Sequence, residues 1–252
     1  MIPELQIPEV IIALVALIAG AVASVTGFGI GSLLTPLLAL QFGTGAAVAI
    51  VSVPHFAAST VRFATLWRRV DRSTVIAFGS FSVLGSLAGA LLGIYGREPG
   101  DPGMAIALGV LLMLGGLSAL APRPGIRFGR KSAAFAGATS GFFGGLVGSQ
   151  GPIRSAALLA FNISKESFVA TAMAIAIAVD VARIPVYVYV HHEAMADAWK
   201  TILLATAGTL VGTLWGARIL RAVPPEPFRR AIACLVFLLG VAVLVAAFRP
   251  MF

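Results

Sequence analysis

Apolar residues run through this chain in long blocks without strict alternation, and polar residues gather in short segments between them. The blocks cover 8–24, 32–42, 45–66, 73–95, 103–121, 132–146, 152–161, 166–190, 198–218 and 232–248. Such runs predict helices rather than the alternating strands of an outer-membrane barrel. A helix needs about 20 apolar residues to cross a bilayer. The blocks at 45–66, 73–95, 103–121, 166–190, 198–218 and 232–248 are therefore predicted spans. The other four are shorter and fall into two pairs, each interrupted by glycine. The first break reads Thr26-Gly27-Phe28-Gly29-Ile30-Gly31-Ser32, with Pro36 beyond. The second reads Ser140-Gly141-Phe142-Phe143-Gly144-Gly145 and continues to Gly148-Ser149-Gln150-Gly151-Pro152. Clustered glycine and proline interrupt helices. Each broken pair is one kinked helix, two short spans or a re-entrant hairpin. Irregular backbone at membrane depth is tolerated where it is buried in protein or lines a cavity. The two breaks are thus expected to meet and form a substrate site.

The order of elements repeats: a glycine-broken segment, a long span, a span with small residues four apart, and a last span. Gly85 and Gly89 in the first half correspond to Gly212 and Gly216 in the second, a spacing that suits close helix contact. The chain divides into repeats over 1–125 and 126–252, together one membrane domain.

Composition agrees. Of 252 residues, 59% are hydrophobic and 11% charged, with a mean hydropathy of +0.98, whereas soluble domains carry about a quarter charged residues. The net charge of +8 does not point to nucleic acid, because the cations sit in loops. Three loops hold Arg68, Arg69 and Arg72; Arg123, Arg127, Arg130 and Lys131; and Arg218, Arg221, Arg229 and Arg230, eleven of the eighteen Lys and Arg. The positive-inside rule places these loops in the cytoplasm. The segments at 96–102 and 191–197, richer in acid and histidine, then fall outside. Traced from these loops, residue 44 lies outside and residues 132–165 enter and leave from inside; if the first half has the same shape, residues 8–44 enter and leave from outside. Each half has one hairpin and three spans, and an odd number of spans turns the second half over. The expected fold is an all-α polytopic membrane protein of two inverted repeats, each a glycine-broken re-entrant hairpin plus three transmembrane helices, roughly eight to ten helical segments in all. Cys234 is the only cysteine and lies in an apolar run, where it is expected to pack. The N-terminal residues, with Glu4 and Glu9 and no basic cluster, do not resemble a cleaved signal peptide.

Candidate chemistry lies at the breaks and in two spans. Helices restarting after Gly27, Phe28, Gly29, Gly31 and Ser32, and after Gly148, Ser149, Gln150 and Gly151, offer free N–H groups and positive dipole ends to an anion. Ser149, Gln150 and Arg154 add a hydroxyl, an amide and a guanidinium shaped for an oxyanion; tight helix packing is the alternative role for the glycines. His55, after Pro54, is either a satisfied core residue or a proton carrier. Arg62 either snorkels to the cytoplasmic interface or serves coupling or gating. Asp180 and Arg183, one turn apart before Pro185, form a structural ion pair or a gating element. His191, His192 and Glu193 lack HExxH spacing and read as a solvated loop. Gly27-x-Gly29-x-Gly31 is no dinucleotide fingerprint, since no soluble βαβ unit surrounds it. No cofactor and no metal site are expected.

With its paired breaks, Thr26-Gly27-Phe28-Gly29 through Pro36 and Ser140-Gly141-Phe142 through Gly151-Pro152, the chain resembles the TauE/SafE family over nearly its whole length. That resemblance implies an inner-membrane permease for sulfite or organosulfonates, acting as an exporter. The second copy reads Gly148-Ser149-Gln150-Gly151-Pro152, whereas the family commonly carries a more uniformly small or apolar stretch before its proline, and the polar Gln150 and Arg154 are expected to tune substrate choice. The expected function is secondary transport of a small sulfur oxyanion by alternating access, coupled to an ion gradient, with the proton favoured by His55 and Asp180. Its partners are the anion, the bilayer, the coupling proton and, where the protein self-associates, a second copy in a homodimer. A passive anion channel is one alternative. An intramembrane serine hydrolase using Ser32 or Ser149 with His55 is another.

Overall fold

The computed structural model describes residues 7–27, 29–95, 102–120, 130–161, 163–219 and 225–248. Phe28, Asn162, the segment 96–101 with Arg97, Glu98 and Asp101, the basic stretch 121–129 and residues 220–224 lie outside them. The described residues are helical. The elements are α1 (Glu9–Thr26), α2 (Ile30–Phe42), α3 (Thr44–Leu66), α4 (Arg72–Thr74), α5 (Ser80–Tyr95), α6 (Gly103–Leu120), α7 (Arg130–Val147), α8 (Gly151–Leu158), α9 (Lys165–Asp197), α10 (Trp199–Ile219) and α11 (Pro225–Phe248). A wide turn over Val75–Gly79 joins α4 to α5 without a break in direction of the chain. Among the described residues, Asp71 caps the start of α4, accepting from the N–H of Thr74 at 2.7 Å, and Ser164 that of α9, accepting from the N–H of Ser167 at 3.2 Å.

Among the described residues, four helical stretches are long and apolar enough to cross a membrane: Thr44–Arg69, Arg72–Gly93, Lys165–Asp197 and Arg230–Phe248. Glu9–Ser24, Ile30–Phe42 and Gly103–Ser118 are shorter apolar helices. The exterior is apolar as well as the core. Leu14, Leu84, Leu203, Leu214 and Leu238 are each more than half exposed, which a soluble surface does not tolerate but lipid does. Cys234 belongs to this exterior: it is exposed on α11 and does not pack as expected.

Because lipid removes the hydrophobic drive between helices, close backbone approach must hold them together. Glycine supplies it. On α7, a Cβ at Gly137, Gly141 or Gly145 would collide with the carbonyl oxygens of Phe78, Ser82 and Ser86. From the facing helix, Gly85 and Gly89 press on the carbonyls of Ala138 and Phe142. Gly208, Gly212 and Gly216 of α10 do the same along Ala13 to Ala21 of α1, and Gly20 answers against Thr209. These contacts ascend together, so α1 runs parallel to α10 and α5 parallel to α7. Two further pairs run antiparallel. Gly109 and Gly116 of α6 meet Gly240 and Ala233 of α11. Gly45 lies beside His191, His55 beside Asp180 and Asp71 beside Thr171, which sets α3 against α9. Every one of these four pairs joins one half of the chain to the other.

Two expectations about local structure change here. Ser140–Gly145 are not part of a break but regular helix within α7, because their glycines serve the contact with α5; the second interruption is confined to Gly148–Gln150. Residues 191–197 are not a loop but the end of α9. The backbone departs from helix only at His191 (φ −111°, ψ 23°), and His191 is partly buried against Gly45.

Candidate functional site

Both short-armed helices stop in the same way. α1 ends at Gly27, whose φ is 76° and whose N–H bonds Ala23 O at 2.9 Å. α7 ends at Gly148, with φ 72° and a 3.1 Å bond to Gly144 O. This left-handed cap costs an L side chain roughly 1–2 kcal/mol, so both positions favour glycine. The chain then restarts as α2 at Ile30 and as α8 at Gly151. The two interruptions touch. A Cβ on Gly31 would overlap the carbonyl oxygen of Gly148. Ser32 Oγ lies 3.3 Å from Ser149 Oγ, and Arg154 Nη2 donates to Gly27 O at 3.0 Å. The first-turn N–H groups of α2 and α8, which have no partner within their own helices, belong to this meeting point.

The polar side chains here are buried and underused. Arg154 is 1% exposed, and its Nε and Nη1 have no partner among the described residues. Gln150 is 2% exposed, and neither end of its amide is bonded. Thr35 Oγ1 and Ser155 Oγ are also unpartnered. Buried polar atoms are nearly always satisfied in folded proteins. A group of orphaned donors around an unpaired guanidinium has the chemistry to receive an oxyanion.

A second, fully satisfied network abuts it. Asp180, wholly buried, accepts from Arg183 Nε at 2.9 Å and from Nη2 at 2.7 Å on Oδ1, while Oδ2 lies 2.6 Å from His55 Nδ1. Arg183 Nη1 donates to Gly144 O, and the Tyr187 hydroxyl to Gly145 O. Those carbonyls lie in the last turn of α7, the negative end of its dipole, so both donors cap that end. The Arg183 guanidinium also stands 5.7 Å from the Tyr187 ring centroid. Gly144 is the shared wall. A Cβ there would stand 2.9 Å from Gln150 Cβ, so the Gln150 side chain packs on one side of the glycine whose carbonyl binds Arg183. Arg154 interacts electrostatically with both Asp180 and Arg183.

The family model for the sulfite exporters TauE/SafE matches residues 12–243 of the 252. The chain belongs to that family. No curated protein and no solved structure matches it. TauE/SafE proteins are membrane transporters, so the chain is a multi-pass membrane transporter for sulfur anions and not an enzyme.

Within this TauE/SafE chain, the structure brings Gly27, Gly29, Gly31, Ser32, Gly148, Ser149, Gln150, Gly151 and Arg154 to one place, and joins His55, Asp180 and Arg183 beside it. Phe28 is outside the described residues. Arg62 stands apart on α3, partly buried, with Nε unpartnered and no bond to either network. Its surroundings are unlike those of Arg183, which is buried and bonded to Asp180. Ser32 and Ser149 bond each other and His55 bonds Asp180, which leaves no serine–histidine pair among the described residues. Nor do three His, Cys, Asp or Glu side chains come together there as metal ligands. Sequence reasoning missed Tyr187, Thr35 and the carbonyls of Gly144 and Gly145. Tyr187 was accessible: Asp180, Arg183, Tyr187 and His191 recur at helical spacing on one face of α9. Tyr187 and Gly145 also line a small crevice with Gly45, Val48, Ala90, Gly93 and His191.

Proposed function

We propose that the protein is a secondary transporter that binds one small sulfur oxyanion, such as sulfite or an organosulfonate, where the two breaks meet. The observation that carries this reading is Arg154: a buried cation with one nitrogen bonded to Gly27 O and two left without partners, beside an amide with both ends free. Holding such an ion unpaired costs several kcal/mol. A bound oxyanion would remove that cost, with Arg154 and Gln150 taking its oxygens and Ser32, Ser149 and the first-turn N–H groups completing the cradle. The antiparallel pairing of α3 with α9 and of α6 with α11 supports an inverted arrangement of the halves, with the site between them. Alternating access then amounts to rocking one half against the other around the anion. The basic loops support a cytoplasmic side at residues 67–72 in the inner membrane, and export is the direction the family description favours. His55 and Asp180 are the groups for a coupling proton, and Arg62 and Arg183 those for gating.

The test is transport in proteoliposomes with sulfite, taurine and sulfoacetate. Saturable uptake or exchange of at least one, lost in Arg154→Gln, is the expected result. Failure of all three to move, or unsaturated flux as in a channel, would overturn the proposal.

A further inference from the structure

The buried network beside the anion cradle has a property that the transport reading alone does not require. Its charges are few and can be named. The anion side contributes Arg154; the other side contributes Arg183, Asp180 and His55. With His55 neutral, Asp180 balances one arginine and a single positive charge remains for the anion. The carboxylate is held from both flanks, by Arg183 at 2.7 Å and by His55 Nδ1 at 2.6 Å. A neutral imidazole donates through Nδ1 in that position, so a further proton enters at Nε2 or settles on the carboxylate. Either microstate adds one positive charge to the same buried cluster, and the proton belongs to the pair.

We infer that the His55–Asp180 pair is a proton site whose occupancy tightens the anion site, so that proton and anion bind together rather than displace one another. This rests on the anion reading of Arg154. The geometric link is Gly144, with Arg183 bonded to its carbonyl and Gln150 packed on its Cα. When the pair gains a proton, Asp180 is claimed by His55 or neutralised, and Arg183 loses part of its counter-charge. The excess positive charge is then relieved best by an anion at Arg154. Among the described residues, the charged and titratable groups around His55 are Asp180 and Arg183 of α9, with Tyr187 one turn on, and Arg154 stands on α8, which packs on α9. Further off lie Arg68 and Arg69 in the turn that continues α3 and His191 at the end of α9 beside Gly45. Neither α2 nor α6 carries a titratable residue, and those of α7 and α10 (Arg130, Lys131, Lys200 and Arg218) sit in their end turns. On α3 itself, Arg62 lies about two turns further on.

Linkage fixes the consequence. If a proton favours the anion, the anion favours the proton by the same factor. An inward proton gradient draws a co-bound anion inward, and an outward anion gradient carries a proton out with it. For a monovalent sulfonate the pair moves without net charge.

The experiment uses detergent-purified full chain and two probes whose own charge is constant over the range, sulfate and methanesulfonate. Titration calorimetry is run at about pH 8.5 and at about pH 5.5. The affinity is expected to tighten by roughly tenfold at the lower pH. In weak buffer near neutrality, adding the probe is expected to draw protons from solution onto the wild-type protein, a readout that needs no variant. In His55→Gln, which keeps a donor for Asp180, the affinity is expected to lose its pH dependence. Binding that is independent of pH, with no proton uptake, overturns the inference and leaves the anion site standing. Proton release on binding overturns it in favour of exchange. Failure of both probes to bind overturns the anion site and the inference with it.

Discussion

Arg154 offers the sharpest test of the site, because the structure predicts that its loss stabilises the empty protein. Consider Arg154→Met, which keeps an unbranched stem and removes the charge. The guanidinium is 1% exposed, and one of its nitrogens is bonded, to Gly27 O at 3.0 Å. An unpaired ion so buried costs several kcal/mol after relaxation. Against that stands one charge-assisted hydrogen bond, which contributes about 1.5–3 kcal/mol. The attraction to Asp180 is opposed by repulsion from Arg183. The net gain on substitution is therefore about 1–3 kcal/mol. At about 2–4 °C per kcal/mol for a chain of this size, Tm should rise by roughly 2–12 °C. Scanning fluorimetry of the purified protein reads this directly. The same assay with sulfite supplies the second half. A ligand at a hundred times its Kd stabilises the wild type by about 2.7 kcal/mol, and the variant should gain nothing. A lower Tm in the variant without anion, or an anion-induced rise that survives the substitution, would refute the reasoning.

Two further predictions come from the same packing. Asp180→Asn breaks a buried pair and should cost about 3–5 kcal/mol, while adding Arg183→Gln should recover part of that loss; Tm values of the four proteins in the cycle check it, and simple additivity would contradict the pairing. Gly89→Ala puts a Cβ on the carbonyl of Phe142 and 2.9 Å from the N of Leu146, and should cost about 1–3 kcal/mol, whereas Gly93→Ala, whose nearest neighbours would be 3.6 Å away, should be neutral or better. Equal effects at these two positions, one turn apart, would show that close backbone approach is not what joins α5 to α7.

The membrane class, the helical fold and the placing of the broken segments were readable in the chain because lipid imposes them locally. Apolar run length and clustered glycine need no knowledge of partners. The second break was drawn too long for a related reason. In sequence, Gly141 and Gly145 look like Gly148, since glycine serves both left-handed turns and backbone contact. They separate only when α5 is in place: Gly141 faces the Ser82 carbonyl within a continuous helix, whereas Gly148 has φ 72°. The end of α9 was misread because His191, His192 and Glu193 are polar, and polarity does not distinguish a loop from a helix end leaning on Gly45.

For the site the division is similar. Residue types named Gln150, Arg154, His55, Asp180 and Arg183 as chemically unusual, because polar groups in an apolar run are costly wherever they end up. Their sequence also paired Asp180 with Arg183, which are neighbours on one turn. What it could not contain were the contacts made across 117, 125 and 127 residues: Ser32 with Ser149, His55 with Asp180, and Arg154 with Gly27. Those depend on how α1 lies along α10, α5 along α7 and α3 against α9, and so on backbone approaches of the whole bundle. Local chemistry thus determined which residues would be expensive to bury. Only the tertiary packing decided that Asp180 would be satisfied from both sides and Arg154 left with two nitrogens free for an anion.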